Sequence, residues 1–275
     1  MEIVKLPKKL KDALNTLRNG QIELGLAQLE KIKGFEPQKA LVKAEINYFM
    51  DNPEEAMSFD EQALPFDGQW YAGNILFEHL FAYTSTSVKI NNQALAEEFL
   101  ANYLIEKEKL PLPAHLLNTY RHQISQHLKR LKGEKDLIIS PKSLSLIEGG
   151  ETKEAFVAQL KKYRPKVTLD SLEGAEYLLH FMFESGDTIE ALNYYETYAN
   201  QILNEDHHIN AARLYTKLGL SINAKQALIT YAANAWYPVE HLQITPMKLW
   251  SFEDLYPIFT KDLKEELLLM SKARS

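Results

Sequence analysis

Glu176 and His180 lie four residues apart in GAEYLLHFMF, a spacing that puts a carboxylate and an imidazole on one face of a helix. Shielded from water in a cleft, such a pair can act as acid and base on a substrate. On an open surface it is an ordinary polar face. The densest ligand set is NEDHH, where Glu205, Asp206, His207 and His208 follow Asn204. Neighbouring helical residues point about 100° apart and do not converge on one ion, so the stretch is expected to form a solvated first turn of a helix, with no metal bound. His115 and His122 are seven residues apart and His127 falls on another face, a pattern of polar surface. No P-loop, GxGxxG, GxSxG, HExxH or EF-hand loop occurs, and no cofactor is expected.

The basic stretches KLPKKLK, HLKRLKGEK and KKYRPK could each meet phosphate, with Tyr163 stacking on a base. They also stand where helix ends and exposed faces normally carry lysine and arginine. With a formal net charge of −6, neither nucleic acid nor a membrane is an expected partner. No cysteine is present, which excludes disulfides and thiolate chemistry and suits a reducing compartment. The N-terminal MEIVKLPKKLKDAL has no apolar core of signal-peptide length, and the longest apolar runs are short, so a cytoplasmic protein is expected.

The elements that would carry these residues are helical. Glycine and proline number only 11 each while Leu, Ala, Glu, Lys and Tyr dominate. Over 172–183 the apolar residues Leu172, Ala175, Leu178, Leu179 and Met182 form one stripe. Gly186 stops it. Asp187 and Glu190 have capping-box spacing, and a second stripe follows at Ile189, Leu192, Tyr195, Ala199 and Ile202. The next segment repeats this plan with Ala211, Leu214, Tyr215 and Leu218, a break at Gly219, then Ala224, Ala227, Leu228 and Tyr231. The tyrosines at 194, 195, 198 and 231 read as interhelical packing.

A turn-former followed five residues later by a small residue occurs at Gly20 and Gly25, Asp51 and Ala56, Asn91 and Ala96, Gly150 and Ala155, Gly186 and Ala191, and Gly219 and Ala224. The first residue of each pair can take the left-handed conformation that ends a helix, and the second lets the next helix approach closely. An extra helix is expected over 113–131. The same glycines would serve as ordinary caps in an irregular helical bundle.

This pattern resembles the tetratricopeptide repeat, a helix-turn-helix unit of about 34 residues with small residues at its crossings and aromatics in its second helix. The match is best over 172–235 and extends to 7–64, where Pro37 stands near the expected repeat end. It departs from the family at the missing Trp and Leu-Gly of the first helix, and at Asp60, where a large apolar residue belongs. The resemblance implies an all-α protein: a right-handed α-solenoid of antiparallel helical hairpins with roughly 12–15 helices. Residues 1–133 and 140–275 are then two halves of one superhelix, hinged near Ser140-Pro141, and the segment after 235 is a non-repeat cap.

The resemblance further implies a concave surface lined by first helices, on which a protein or peptide partner docks. The residues expected there are Glu45 and Tyr48, then Glu176, His180 and Phe183, then Arg213, Thr216 and Lys217. The function so implied is a non-catalytic interaction module or adaptor, of which a peptide-sensing regulatory domain is one form. The alternative is an enzyme on an α/α scaffold using the Glu176/His180 pair.

Overall fold

The computed structural model describes residues 6–64, 75–109, 114–132, 158, 176, 178–179, 188–202, 204–235 and 242–270. Every regular element among the described residues is helical, and the protein is all-α. In chain order these are α1 (Lys8–Arg18), α2 (Ile22–Glu30), α3 (Glu36–Phe49), α4 (Pro53–Ala63), α5 (Ile75–Lys89), α6 (Gln93–Glu108), α7 (Ala114–Leu131), α8 (Thr188–Tyr198), α9 (Asp206–Lys217), α10 (Ser221–Asn234) and α11 (Lys261–Met270), with 3-10 segments at Met247–Ser251 and Glu253–Ile258. Helix α7 occupies the place where an extra helix is expected. Among the described residues no helix is long and apolar enough to cross a membrane.

The hairpins break by one repeated local device. Gly20, Asp51, Asn91 and Gly219 all have positive φ, between 55° and 78°. Glycine pays nothing for this conformation, and Asp and Asn pay less than other side chains. Three residues beyond the end of each helix, a backbone N–H reaches back five residues to a carbonyl: Gln21 to Thr16, Asn52 to Asn47, Asn92 to Ser87 and Leu220 to Tyr215. That is the Schellman bond pattern, which satisfies carbonyls the helix end would otherwise leave open. The other two expected breaks, Gly150 and Gly186, lie outside the described residues. One positive φ has no signal in the pattern: Phe35, at φ 61°, follows Gly34 at φ 79° and leads into α3.

Of the small residues expected five positions after a turn, Ala155 lies outside the described residues and the other five are buried. Ala56, Ala96, Ala191 and Ala224 are fully enclosed. Gly25 shows the reason in distances, since a Cβ built on it would stand 2.4 Å from Cγ of Leu17 and 2.5 Å from its Cδ2. Carbon atoms in contact stand about 3.5–4.0 Å apart, so α1 and α2 cross more closely than any side chain at 25 allows.

The chain forms two compact units, residues 1–136 with 232–275, and residues 137–231. Residues 232–275, placed by the sequence pattern with the second half, thus cluster with the N-terminal hairpins. In the first unit Leu10, Leu14 and Leu17 of α1, Leu29 of α2, and Leu41, Ile46 and Phe49 of α3 are buried, each contributing about 1.5–3 kcal/mol relative to exposure. Residues 242–260, called the strap below, supply a second set: Leu242, Ile244, Met247, Leu249, Trp250, Leu255 and Ile258. The Trp250 ring packs against Tyr48, Phe49, Tyr256 and Phe259, with ring centres 5.5 to 6.4 Å apart. Helix α11 then packs on α3, and Nζ of Lys264 donates to Oδ1 of Asp51 at 2.6 Å.

Candidate functional site

The richest chemistry in the first unit lies where the strap meets α1, α3 and α5. From α1, the guanidinium of Arg18 donates to the backbone carbonyl of Gln243 through Nε at 3.1 Å and Nη2 at 2.9 Å. From α3, one carboxylate oxygen of Glu45 accepts from Ile244 N–H at 2.9 Å and from the N–H and hydroxyl of Thr245, both at 2.5 Å. Two charged side chains of opposite sign, each 1% exposed, therefore grip the main chain of three consecutive residues. Burial raises the Glu45 carboxyl above the usual carboxylate range, against the pull of His79 and the Thr245 hydroxyl. From α5, the hydroxyls of Ser85 and the strap's Tyr256 meet at 2.5 Å, and Tyr256 donates to the carbonyl of Trp250.

Beneath this grip lies a buried polar relay. Asp60, the residue that breaks the repeat pattern, is fully enclosed, and its two oxygens meet Nδ1 of His79 and the hydroxyl of Tyr48, each at 2.7 Å. A polar side chain is tolerated at this apolar position because two neighbours on different helices satisfy it. A carboxylate–imidazole pair can hold or pass a proton, but Asp60 and His79 are both 0% exposed and have no route to a substrate. Beside α1 and α2 a shallow hollow of about 320 Å³ is lined, among the described residues, by Lys9, Asp12, Gln28, Lys31 and Ile32.

The expected groove residues divide between the two units. Glu45 and Tyr48 do not face open solvent: both are 1% exposed, Glu45 held by the strap and Tyr48 by Asp60 and Trp250. The physical reason for this correction is that a distant part of the chain lies on the face that the local pattern leaves uncovered. In the second unit Glu176 is half-buried and its Oε1 accepts from the N–H of Asn204 at 2.9 Å. His180 and Phe183 lie outside the described residues. Arg213 is half-buried, Lys217 is exposed, and the hydroxyl of Thr216 donates to the carbonyl of Ala212 within its own helix.

NEDHH is also corrected. His207 and His208 are 2% and 1% exposed, not solvated, since both rings turn into the packing of the second unit. Nδ1 of His208 lies 2.8 Å from the hydroxyl of Tyr195, and the rings meet edge to face. Desolvation first, then the neighbouring His207, lowers the His208 pKa to about 4, so the ring is neutral near pH 7. Tyr215 donates to Glu196 at 2.7 Å beside this pair. Among the described residues no group of three His, Asp or Glu is placed to hold a metal ion.

Conversely, several large apolar side chains are in water, Ile189 and Leu218 of the expected stripes among them. Ile189, at the start of α8, is 70% exposed; Leu218, Leu220 and Ile222, around the turn between α9 and α10, are 48%, 46% and 84% exposed. Of the residues the pattern missed, Arg18 carried a signal. It continues the apolar stripe of Leu10, Leu14 and Leu17, where a charge must find a partner. Thr245, Trp250 and Lys264 carried none, because their partners lie roughly 200 residues away in sequence. No protein-family model, curated protein or solved structure matches the chain.

Proposed function

We propose that this protein is a non-catalytic interaction module, an adaptor built as a tetratricopeptide-like solenoid, which holds a protein segment on the surface of its helices. The observation that carries this reading is the set of three large apolar side chains, Leu218, Leu220 and Ile222, left in water around the turn that follows Lys217, with Arg213 one helical turn earlier. Exposed apolar side chains rimmed by charge are the usual mark of a surface that a partner covers. A basic rim suits an acidic partner segment in a reducing cytoplasm.

The acid–base alternative is less well supported. Glu176 is already engaged as the acceptor for a loop N–H, and the Asp60–His79 pair is sealed. The test is affinity capture from the native cell with the full chain and two variants, Ile222→Asp and Arg213→Glu. The expected result is a defined co-purifying protein that both variants lose while keeping the native melting curve. Identical capture by native chain and both folded variants would refute the use of this surface.

A further inference from the structure

The face of α1, α3 and α5 in the first unit carries features of a binding groove more than of a plain core. A permanent core contact is made most cheaply by apolar side chains, because burying a charge costs several kcal/mol unless it is paired and fully hydrogen-bonded. Here Arg18 and Glu45 are buried to 1% exposure and aimed at main-chain atoms of the strap: a carbonyl at 243 and the N–H groups at 244 and 245. Recognition of main-chain groups, with side chains filling pockets beyond, is how grooves hold an extended protein segment. The pocket is the aromatic box of Tyr48 and Phe49 that receives Trp250. The strap is also not fully satisfied there, since the buried indole N–H of Trp250 has no acceptor among the described residues.

We propose that this groove is a segment-binding site, that the strap is its resident ligand, and that protein segments of the same chemistry bind it in trans when the strap loosens. The chemistry is specific: an irregular apolar-Thr-Pro run offering one carbonyl, two adjacent N–H groups and a hydroxyl, followed by a 3-10 turn that delivers a tryptophan. The proposal rests on the adaptor reading above and assigns it a second, self-occupied surface. A tethered ligand acts at an effective concentration in the millimolar range, so the intact strap keeps competing segments out. Each tenfold loss in strap closure raises the apparent affinity for a trans segment about tenfold.

The probe is a fluorescein-labelled synthetic peptide of residues 242–258, titrated against the full chain and read by anisotropy. Trp250→Ala in the strap should bind it at least about tenfold more tightly than the native chain. Adding Glu45→Gln to that variant should weaken binding by about tenfold again, through loss of charge-assisted bonds. A Trp250→Ala chain that is folded by circular dichroism yet binds no better than native chain overturns the proposal, and so does binding indifferent to Glu45→Gln. Should Trp250→Ala fail to fold, Thr245→Ala, which removes one hydroxyl and one methyl from the grip, is read by the same two criteria. Capture lost through Ile222 and Arg213 reports on the second unit alone, so the two readings fail independently.

Discussion

Replacing Gly25 by alanine sets two effects of known sign against each other. Alanine is the better helix former by about 0.8–1.0 kcal/mol, and α2 is otherwise an ordinary helix, so propensity alone predicts stabilisation. Against this, the new methyl would stand 2.4 and 2.5 Å from Cγ and Cδ2 of Leu17 and 3.1 Å from its backbone nitrogen. Relief requires about 1 Å of separation to reach ordinary contact. Leu17 cannot swing aside, being 1% exposed and packed in the core of the first unit, so the helices must part along α1 and α2. Overpacking of this kind costs about 1–3 kcal/mol, and the opening also loosens contacts of Leu14 and Leu29. The net expectation is destabilisation by about 1–2 kcal/mol, read as a lower urea midpoint at unchanged slope. Leu17→Ala in the same chain should remove most of that penalty, because only the 3.1 Å approach to the backbone nitrogen of residue 17 then remains. A Gly25→Ala protein as stable as native, or more stable, would show that the crossing is not as close as described.

Three other substitutions and one titration, with their control variants, test further claims. Ala191→Leu and Ala224→Leu, both at fully enclosed positions, should each cost about 1–3 kcal/mol in thermal or urea unfolding. His208 has a folded pKa near 4 against an ordinary value of 6.5, so the unfolded chain takes up the proton first as pH falls. Its stabilisation is therefore fully present above pH 6.5 and is lost progressively between 6.5 and about 4, by up to about 3 kcal/mol. Unfolding at pH 7 and pH 4.5 measures it, and His208→Phe should flatten that part of the profile. Asp60→Leu restores the apolar residue of the repeat pattern but strips His79 and Tyr48 of their shared acceptor. It should destabilise by about 2–4 kcal/mol, with the double variant His79→Phe recovering part of the loss.

What could be read from the chain was local in cause. Turns at Gly20, Asp51, Asn91 and Gly219 were legible because few residue types tolerate positive φ, and the spacing to Gly25, Ala56, Ala96 and Ala224 because only small residues allow close crossings. What could not be read was long-range. The inward turn of Glu45 and Tyr48 depends on residues 244–250, and a helix face covered by a distant segment shows the same periodicity as one open to water. His207 and His208 misled for a related reason: polar residues on a first turn suggest solvent, unless a partner such as Tyr195 comes to meet them. Exposure of Ile189 and Leu218 could not be read either, since a stripe shows which residues share a face and not whether anything covers it.

The division of the first unit into residues 1–136 and 232–275 sets an order on biosynthesis. Chains emerge from the ribosome at about 5–20 residues per second, so the N-terminal hairpins wait several seconds for the segment that completes them. Throughout that interval the aromatic box around Tyr48 and Phe49 is empty, and Arg18 and Glu45 stand without the main-chain partners they later grip. The nascent hairpins are thus a natural client for a chaperone that shields apolar surface. A stop codon after residue 136 and before Thr245 would release a chain with every helix from α1 to α7 present and none of the strap's grip to close them, a species suited to degradation more than to residual activity.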